Sequence, residues 1–534
     1  VYQASLTSRY LVRKIIPLLA MLSVALCTAM VIIVFSVMNG FLDMVTQAGR
    51  KLIGDVAIDG PVTGFPWYEE LVTELKRLPS VQAASPMIQS YGLLKMPYNQ
   101  ISQVQVVGVD PTSYDAVTGY ASTLYWRPLS EPELAKLPTT DIRRPDWESP
   151  EGTMEWKRIL HMSLLDAHFE SLGPVGPIGI LNHTADWQNK QNPAEPLIRR
   201  LQDAGKVLQT PGGSPGLVPG IRVSIANERV AGRSYEFAQT WFMPTREVTL
   251  TVLPLTDEGG VRDPESRIFP IVNEFGVERY DVDSSYVFVP FDVLQKMLKM
   301  QPVQEVSETE TDEFGDPLPT GRMTPGRATR IVIKAKPGVS PLQLQADAQR
   351  VYEQVYDRHI GEMPPPSIID IKTWEEQIAL YIGAVKNETA LVMTLFSIIS
   401  LVAVILVLSI FWTVVQQKTR DIGILRAVGA SRFGITWLFL LYGLILGILG
   451  SLLGAMLAFP IVWYINPIHR FLGEEFGIVI WDPKVYIFDE VPHHVNPLFA
   501  MIIMSAGVLF AVLGALIPAI RAAFIDPVTA LRYE

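Results

Sequence analysis

The sequence predicts an α+β membrane protein in which four transmembrane helices carry a large extracytoplasmic α+β domain between the first and the second. Three observations predict it. Of 534 residues, 49% are hydrophobic and 18% charged, with a mean hydropathy of +0.24. That balance is too apolar for an ordinary soluble enzyme and too polar for a bare helix bundle. Four apolar stretches exceed the roughly 18 residues that a spanning helix needs. Finally, about 350 residues separate the first two stretches, ample for one or two packed domains.

The stretches are Ile15–Met38, Thr389–Val415, Phe433–Ile465 and Pro497–Ile520, and none contains Asp, Glu, Lys, Arg or His. The first has an apolar core too long for a cleaved signal peptide. The last is entered through Asn496-Pro497, a good helix-start pair. Uncharged spans disfavour an ion or proton relay through the membrane. Basic residues set the orientation. Arg9, Arg13 and Lys14 precede the first span, Lys418, Arg420, Arg426 and Arg432 lie between the second and third, and Arg521 and Arg532 follow the fourth. The loop Asn466–Asn496 holds only Arg470 and Lys484 against a larger number of acids. The resulting partition puts residues 1–14, 417–432 and 521–534 in the cytoplasm and spans over 15–40, 387–416, 433–465 and 497–520. Residues 41–386 and 466–496 lie outside.

Within 41–386, Val56–Asp59, Val81–Met96 and Gln103–Val109 read as strands, with a helix over Trp67–Leu78 between the first two. This is the β-α-β-β opening of a small α+β domain. Ile221–Ile225, Val248–Leu253, Ser285–Val289 and Arg330–Ile333 are further strand candidates, and Phe291–Met300 and Pro341–Tyr356 read as helices. Thr112–Gly220, rich in Pro, Trp and Gly, reads as an insertion, and the acidic Glu305–Gly326 as a solvated loop.

Catalytic and metal signatures are missing from the sequence. It contains no GxxxxGK[ST] phosphate loop, HExxH, CxxC, GxSxG or EF-hand pattern, so this chain alone is not expected to hydrolyse ATP. Cys27, the only cysteine, sits in an apolar run and reads as a small buried hydrophobe. His493-His494 side chains diverge on most backbones, which disfavours a metal site. A net charge of −10 excludes a global field for nucleic acid.

The most informative segment is Lys418–Arg432, pinned between two spans. Thr419 reads as an N-cap, Asp421 complements the helix N-terminus, and Gly429 suits the C′ position. A helix of about nine residues fits between them. Ile422, Leu425 and Val428 form an apolar stripe with Ile424 beside it, while Arg420 and Arg426 lie off it. Such a helix needs either the membrane surface or a partner. In the third span, Gly443, Gly447, Gly450 and Gly454 form small-xxx-small pairs, for packing within the chain or for a dimer seam.

Here the sequence resembles a family. KTRDIGILRAVGAS after a span is similar to the cytoplasmic coupling helix of the FtsX-like, or MacB-type, ABC permeases. IPAIRAAFIDPVTALRYE is similar to that family's ending. SVMNGF at Ser36–Phe41 resembles the lipoprotein-releasing branch, the LolC/LolE type. SRYL at Ser8–Leu11, VVGVDP at Val106–Pro111, YDVDSSYVFVPFDVLQKML at Tyr280–Leu298 and TWEEQ at Thr373–Gln377 support it. The likeness fails over Thr112–Gly220 and the acidic loop.

The resemblance implies a non-catalytic inner-membrane subunit that pairs with a second permease and binds no cofactor itself. ATP and Mg would sit on a partner ABC ATPase in the cytoplasm. That ATPase would contact Arg420, Asp421, Ile422, Ile424, Leu425, Arg426, Val428 and Gly429. The cargo would be a lipoprotein passed from the outer leaflet to a periplasmic carrier, with Val37, Met38 and Phe41 meeting its lipid or simply facing membrane lipids or packing. A MacB-type efflux permease, an FtsX-like regulator of a cell-wall hydrolase and a membrane-anchored enzyme are the competing readings.

Overall fold

The computed structural model describes residues 15–96, 100–134, 195–223, 246–256, 259–277, 279–311, 317–478, 481 and 491–532. Residues 1–14 with their three basic residues, and most of the Thr112–Gly220 segment, lie outside that description. The chain divides into two compact units. One comprises Val1–Val45, Leu380–Leu472 and Glu490–Glu534, and the other Thr46–Ala379 with Gly473–Asp489.

Helix α1 runs over Ile15–Ile53, and the large unit follows in chain order. Its elements are β1 (Val56–Asp59), α2 (Tyr68–Arg77), β2 (Val81–Lys95), β3 (Ile101–Val109), α3 (Pro111–Thr118), α4 (Glu195–Val207), β4 (Val218–Pro219), β5 (Glu247–Val252), β6 (Glu265–Pro270), β7 (Tyr286–Pro290), α5 (Phe291–Met297), β8 (Val303–Thr311), β9 (Pro317–Thr324), β10 (Arg330–Ala335), α6 (Pro341–Arg358) and β11 (Asp370–Thr373). The main sheet runs β11-β1-β10-β2-β3-β7-β4, and β5 extends β2 and pairs with β6. Its first four strands, with α2 and α6, make two split β-α-β units. Neighbours among those four are antiparallel, the arrangement of a ferredoxin-like βαββαβ layer.

Alternation along the strands buries both faces of this sheet. Val56, Ile58, Ile331 and Ile333 point into a core shared with Leu71 and Leu75 of α2 and Leu344, Val351 and Tyr352 of α6. Ala57 and Val332 point the other way, against Tyr114 and Val117 of α3, Ala204 of α4, Tyr120 and Phe288. The helices fit because their apolar residues recur every three or four positions. Tyr68, Leu71, Val72 and Leu75 are the buried face of α2, with Glu69 and Glu70 in its first turn and Lys76 and Arg77 in its last, charges that complement the helix dipole. Thr373 and Glu376 close a capping box just past β11, which accounts for the TWEEQ stretch. Trp67 precedes α2 at φ 61°. Its ring stacks 4.0 Å from His359 and its Nε1 donates to Glu362 at 2.8 Å, so the start of α2 is tied to the end of α6.

Several expectations need correction. In topology the insertion is wider than Thr112–Gly220, because everything over residues 96–329 enters between β2 and β10. Ile221–Val223 form a turn instead of a strand, with Arg222 N–H donating to Asp283 O and Val223 N–H to Gly220 O; residues 224 and 225 lie outside the described residues. The acidic Glu305–Gly326 segment is not a loop, because β8 and β9 pair antiparallel within it. Composition hid the alternation of Ser307, Thr309 and Thr311 with Glu308 and Glu310, a pattern that suits extended backbone.

The second unit holds α1 together with α7 (Ala379–Gln417), α8 (Thr419–Ala427), α9 (Arg432–Trp463), α10 (Ile465–Phe476), α11 (Pro497–Ala523) and α12 (Pro527–Arg532), although the last residues of α1 and α10 fall in the large unit. Four of these helices are long and apolar enough to cross a membrane, over Leu18–Val45, Ile382–Gln417, Arg432–Trp463 and Pro497–Ala523. The predicted class, four spans with an α+β domain between the first two, is therefore what the chain forms. Helices α1 and α7 each have 39 residues, or about 58 Å at 1.5 Å per residue, against a hydrocarbon core of about 30 Å. The spans at 15–40 and 387–416 are thus parts of longer helices. The predicted loop 466–496 also opens with a helix, α10, instead of irregular chain.

Candidate functional site

The basic loop is built from its two ends. The second span ends at Gln417, and the chain turns through Lys418 directly into α8. Thr419 is not the N-cap. That position is Lys418, without a side-chain cap bond, while the Thr419 hydroxyl donates back to the Gln416 carbonyl at 2.9 Å. Lys418 Nζ instead reaches Asp421 at 2.6 Å, a surface pair worth at most about 1 kcal/mol. At the other end Gly429 stands at φ 105°. Its N–H donates to Arg426 O at 3.1 Å, and the Ala430 N–H donates to Leu425 O at 3.0 Å. These two bonds make a Schellman stop, which needs the left-handed residue that glycine supplies. Ser431 then caps α9 by accepting from Gly434 N–H at 3.1 Å.

Between these caps α8 has two apolar faces. Ile422 is 3% exposed and joins Val415, Ile435, Phe439, Ala519 and Ala522 in the membrane-side core. Gly423 beside it is buried because α12 lies on it; a Cβ there would stand 2.7 Å from Ala530 Cβ. Arg426, one turn on, donates through Nη1 to the Ala523 carbonyl, an end-of-helix acceptor that a cation suits. Residues 419, 422, 423 and 426 therefore face inward. Asp421, Ile424, Leu425 and Val428 face outward at the same i, i+3, i+4, i+7 spacing, with Leu425 46% and Val428 84% exposed. The predicted stripe is corrected accordingly. Ile422 belongs to the core, and Ile424 joins Leu425 and Val428 on the open face. Arg420 and Gly429 are also exposed.

Helix α12 is the part that sequence reasoning missed. Asp526 Oδ1 accepts from Val528 N–H at 3.0 Å, and Pro527 occupies the first helical position, a strong start signal. The Asp-Pro-x-x-Ala pattern of the tail thus encodes a capped turn with Ala530 aimed at Gly423. Cation–π contacts support the same end of the unit. Arg432 lies 4.8 Å over Phe524, and Arg521 lies 4.2 Å over Trp412.

The glycine row packs inside the chain. Ideal Cβ atoms would lie 2.7 Å from Ala515 Cβ at Gly443, 3.0 Å from Ala511 Cβ at Gly447, 2.9 Å from Val24 Cβ at Gly450 and 2.5 Å from Ala25 O at Gly454. One half of the row admits α11 and the other α1, so of the two readings the intrachain one describes all four positions. Val37, Met38 and Phe41 are half-buried on α1, and Met38 Sδ accepts from the Thr389 hydroxyl at 3.6 Å. The SVMNGF stretch also holds the lead-in to α11. Ser36 O accepts from His494 N–H at 2.9 Å, and Gly40 leaves room for His493, whose backbone nitrogen would lie 2.5 Å from a Cβ. Cys27 is half-buried, with Sγ 3.4 Å from the Ser400 hydroxyl. Among the described residues no group of three or more His, Cys, Asp or Glu is placed to hold a metal ion.

Known proteins match the chain in both units. A family model described as FtsX-like permease C-terminal matches residues 393–527, a stretch that includes α8 and Gly423. Another, described as MacB-like periplasmic core domain, matches residues 18–136. The lipoprotein-releasing system transmembrane protein LolC of Xylella fastidiosa is 28% identical over 164 residues, 31% of this chain and 40% of that protein. LolE of Haemophilus influenzae is 30% identical over 121 residues, 22% of this chain and 28% of that protein. The macrolide export ATP-binding/permease protein MacB 2 of Aeromonas hydrophila is 26% identical over 210 residues, 39% of this chain and 28% of that protein. The chain thus spans 40% of the length of the LolC relative and less of the other two. The chain thus combines a stretch similar to an FtsX-like permease C-terminal region with a stretch similar to a MacB-like periplasmic core domain.

Proposed function

We propose that this chain is the permease subunit of an ABC transporter that releases lipoproteins from the outer leaflet of the inner membrane. A separate cytoplasmic ATPase, carrying ATP and Mg, docks on α8. Both chain ends and α8 are cytoplasmic, the large domain is periplasmic, and a second permease completes the membrane part. The observation that carries the reading is the open face of Ile424, Leu425 and Val428, presented by a helix braced on its other side. A short helix held this firmly between two spans transmits a push instead of bending under it. The names of the LolC and LolE relatives support lipoprotein as cargo.

Energetics favour a coupled machine. Each buried CH₂ of an acyl chain is worth about 0.8 kcal/mol, so bare extraction of three chains costs on the order of tens of kcal/mol. The cargo's chains must therefore be sheltered while they move. Val37, Met38 and Phe41, half-buried apolar residues of α1, are the proposed lipid contacts, and a periplasmic carrier is the proposed receiver.

A second reading, macrolide-type efflux, is favoured by the MacB relative and the MacB-like core domain. The two separate in one experiment. The chain is reconstituted with its co-encoded ATPase and any second permease in liposomes holding a triacylated lipoprotein, and ATP-dependent release to a soluble carrier is measured. Release is expected. Robust ATPase activity with no release, together with ATP-driven movement of a macrolide, would replace the proposal with efflux.

A further inference from the structure

Helix α10 is built inside out for water. It begins where α9 breaks at Tyr464. The break has a local cause, because Pro467 has no N–H to return to the Trp463 carbonyl and its ring crowds that carbonyl. The helix buries Asn466 and His469 and exposes Ile468 and Phe471, and the exposed Glu475 ends that apolar row one turn on. Asn466 and His469 are 9% and 7% exposed. The Asn466 side chain satisfies both backbone groups of Val491, accepting from its N–H at 2.8 Å and donating to its carbonyl at 3.2 Å. Trp463 at 68%, Tyr464 at 61%, Ile468 at 41% and Phe471 at 56% face outward. A surface helix in water shows the opposite distribution.

We propose that α10 is an interfacial helix whose Tyr464, Ile468 and Phe471 face lies in the headgroup and acyl boundary of the bilayer, in the leaflet opposite the basic loop. Its occupant is the lipid surface because the exposed apolar row of the third span continues into it without interruption. Ile461 is exposed on the last turns of α9, Trp463 and Tyr464 follow, and Ile468 and Phe471 come next. Tryptophan and tyrosine favour that depth, where a ring is apolar and its edge is wet. Twelve residues make a helix too short to hold its shape alone in water. The Asn466 clamp fixes one side of it to the chain leading into α11, and lipid covers the other. The helix then sets how deep the α9 and α11 ends sit in that leaflet, whatever the cargo is.

The test uses the full chain with Cys27→Ser, reconstituted in phosphatidylcholine and phosphatidylglycerol vesicles. Single spin labels are placed by Ile468→Cys and Phe471→Cys, and by Arg350→Cys on α6, where the side chain is 72% exposed, as a water reference. Power-saturation measurements compare relaxation by oxygen with relaxation by a water-soluble nickel chelate. The expected result is an oxygen-to-nickel ratio severalfold higher at 468 and 471 than at 350, at depths of about 5–10 Å below the headgroups. Nickel accessibility at 468 and 471 equal to that at 350 would place the face in water and overturn the proposal. Dipolar broadening between labels at 471 in neighbouring chains, with both relaxation agents excluded, would also overturn it and make the face a seam between two copies.

Discussion

Gly454 shows how much one missing side chain decides. A methyl group there would meet the Ala25 carbonyl at 2.5 Å, and backbone cannot swing aside as a flexible side chain does. Gly454→Val should destabilise the helix unit by roughly 1–3 kcal/mol, read as a shift in denaturant midpoint in bicelles. Gly383, also helical but with nothing within 4 Å of an ideal Cβ, is the control, and Gly383→Ala should be neutral or slightly stabilising. The four glycines of α9 were visible in the sequence as a small-residue row. Their partners were not, because spacing along one helix carries no information about which neighbour approaches it. A single side chain likewise divides the two faces of α8. Leu425→Asp should abolish capture of the proposed ATPase while leaving the purified chain's thermal midpoint nearly unchanged. Ile422→Asp should lower that midpoint, because it buries a carboxylate among Val415, Ile435 and Ala519. Loss of stability in both variants, or in neither, would contradict the face assignment.

At the scale of elements, α8 and α12 act as one piece. Gly423→Ala presses a methyl onto Ala530, and Ala530→Gly makes room for it again. A double-mutant cycle on affinity for the proposed ATPase should therefore show positive coupling of at least about 0.5 kcal/mol, with the swapped pair closer to the native chain than Gly423→Ala alone. Strict additivity would mean that α12 does not position α8. The start and stop of α8 were partly legible. Gly429 as the left-handed residue past the helix was read correctly, since few residue types tolerate that backbone. Thr419 as the N-cap was not, because the chain enters α8 almost directly from α7 and leaves no extended residue for a cap. The acidic hairpin was missed for a related reason: composition was weighed where alternation carried the signal.

Across the whole molecule, the large unit is built on one main sheet with a long interruption in sequence. Strands β1, β10, β11 and β2 come from the two ends of the domain. They share a core with Val106 of β3, Val248 of β5 and Val287 of β7 from within the insertion. Such sharing predicts one cooperative block. Hydrogen exchange followed by mass spectrometry should give similar protection for β1, β2, β3 and β10. Much faster exchange throughout residues 101–290 than in β1 and β10 would show that the insertion folds apart from the split β-α-β layer. The sequence showed the first β-α-β, but not that the second β-α-β waits until Arg330. Long-range strand order depends on contacts between residues hundreds of positions apart, to which local periodicity is blind.

By itself the sequence determined the four spans, because a run of apolar residues long enough to cross lipid has few other stable states. It also determined the existence of a short helix in the basic loop and the strands flanking α2, since helical and strand periodicities are local properties of the chain. Only the tertiary structure decided which face of α8 is covered and that the tail braces it. The same is true of the two neighbours that share the glycines of α9, and of α10 burying its asparagine and histidine while showing its aromatic residues. In each case the choice lies between two faces of one helix, and the physical reason is the same: a face is buried or open according to what packs on it, and that partner comes from elsewhere in the chain.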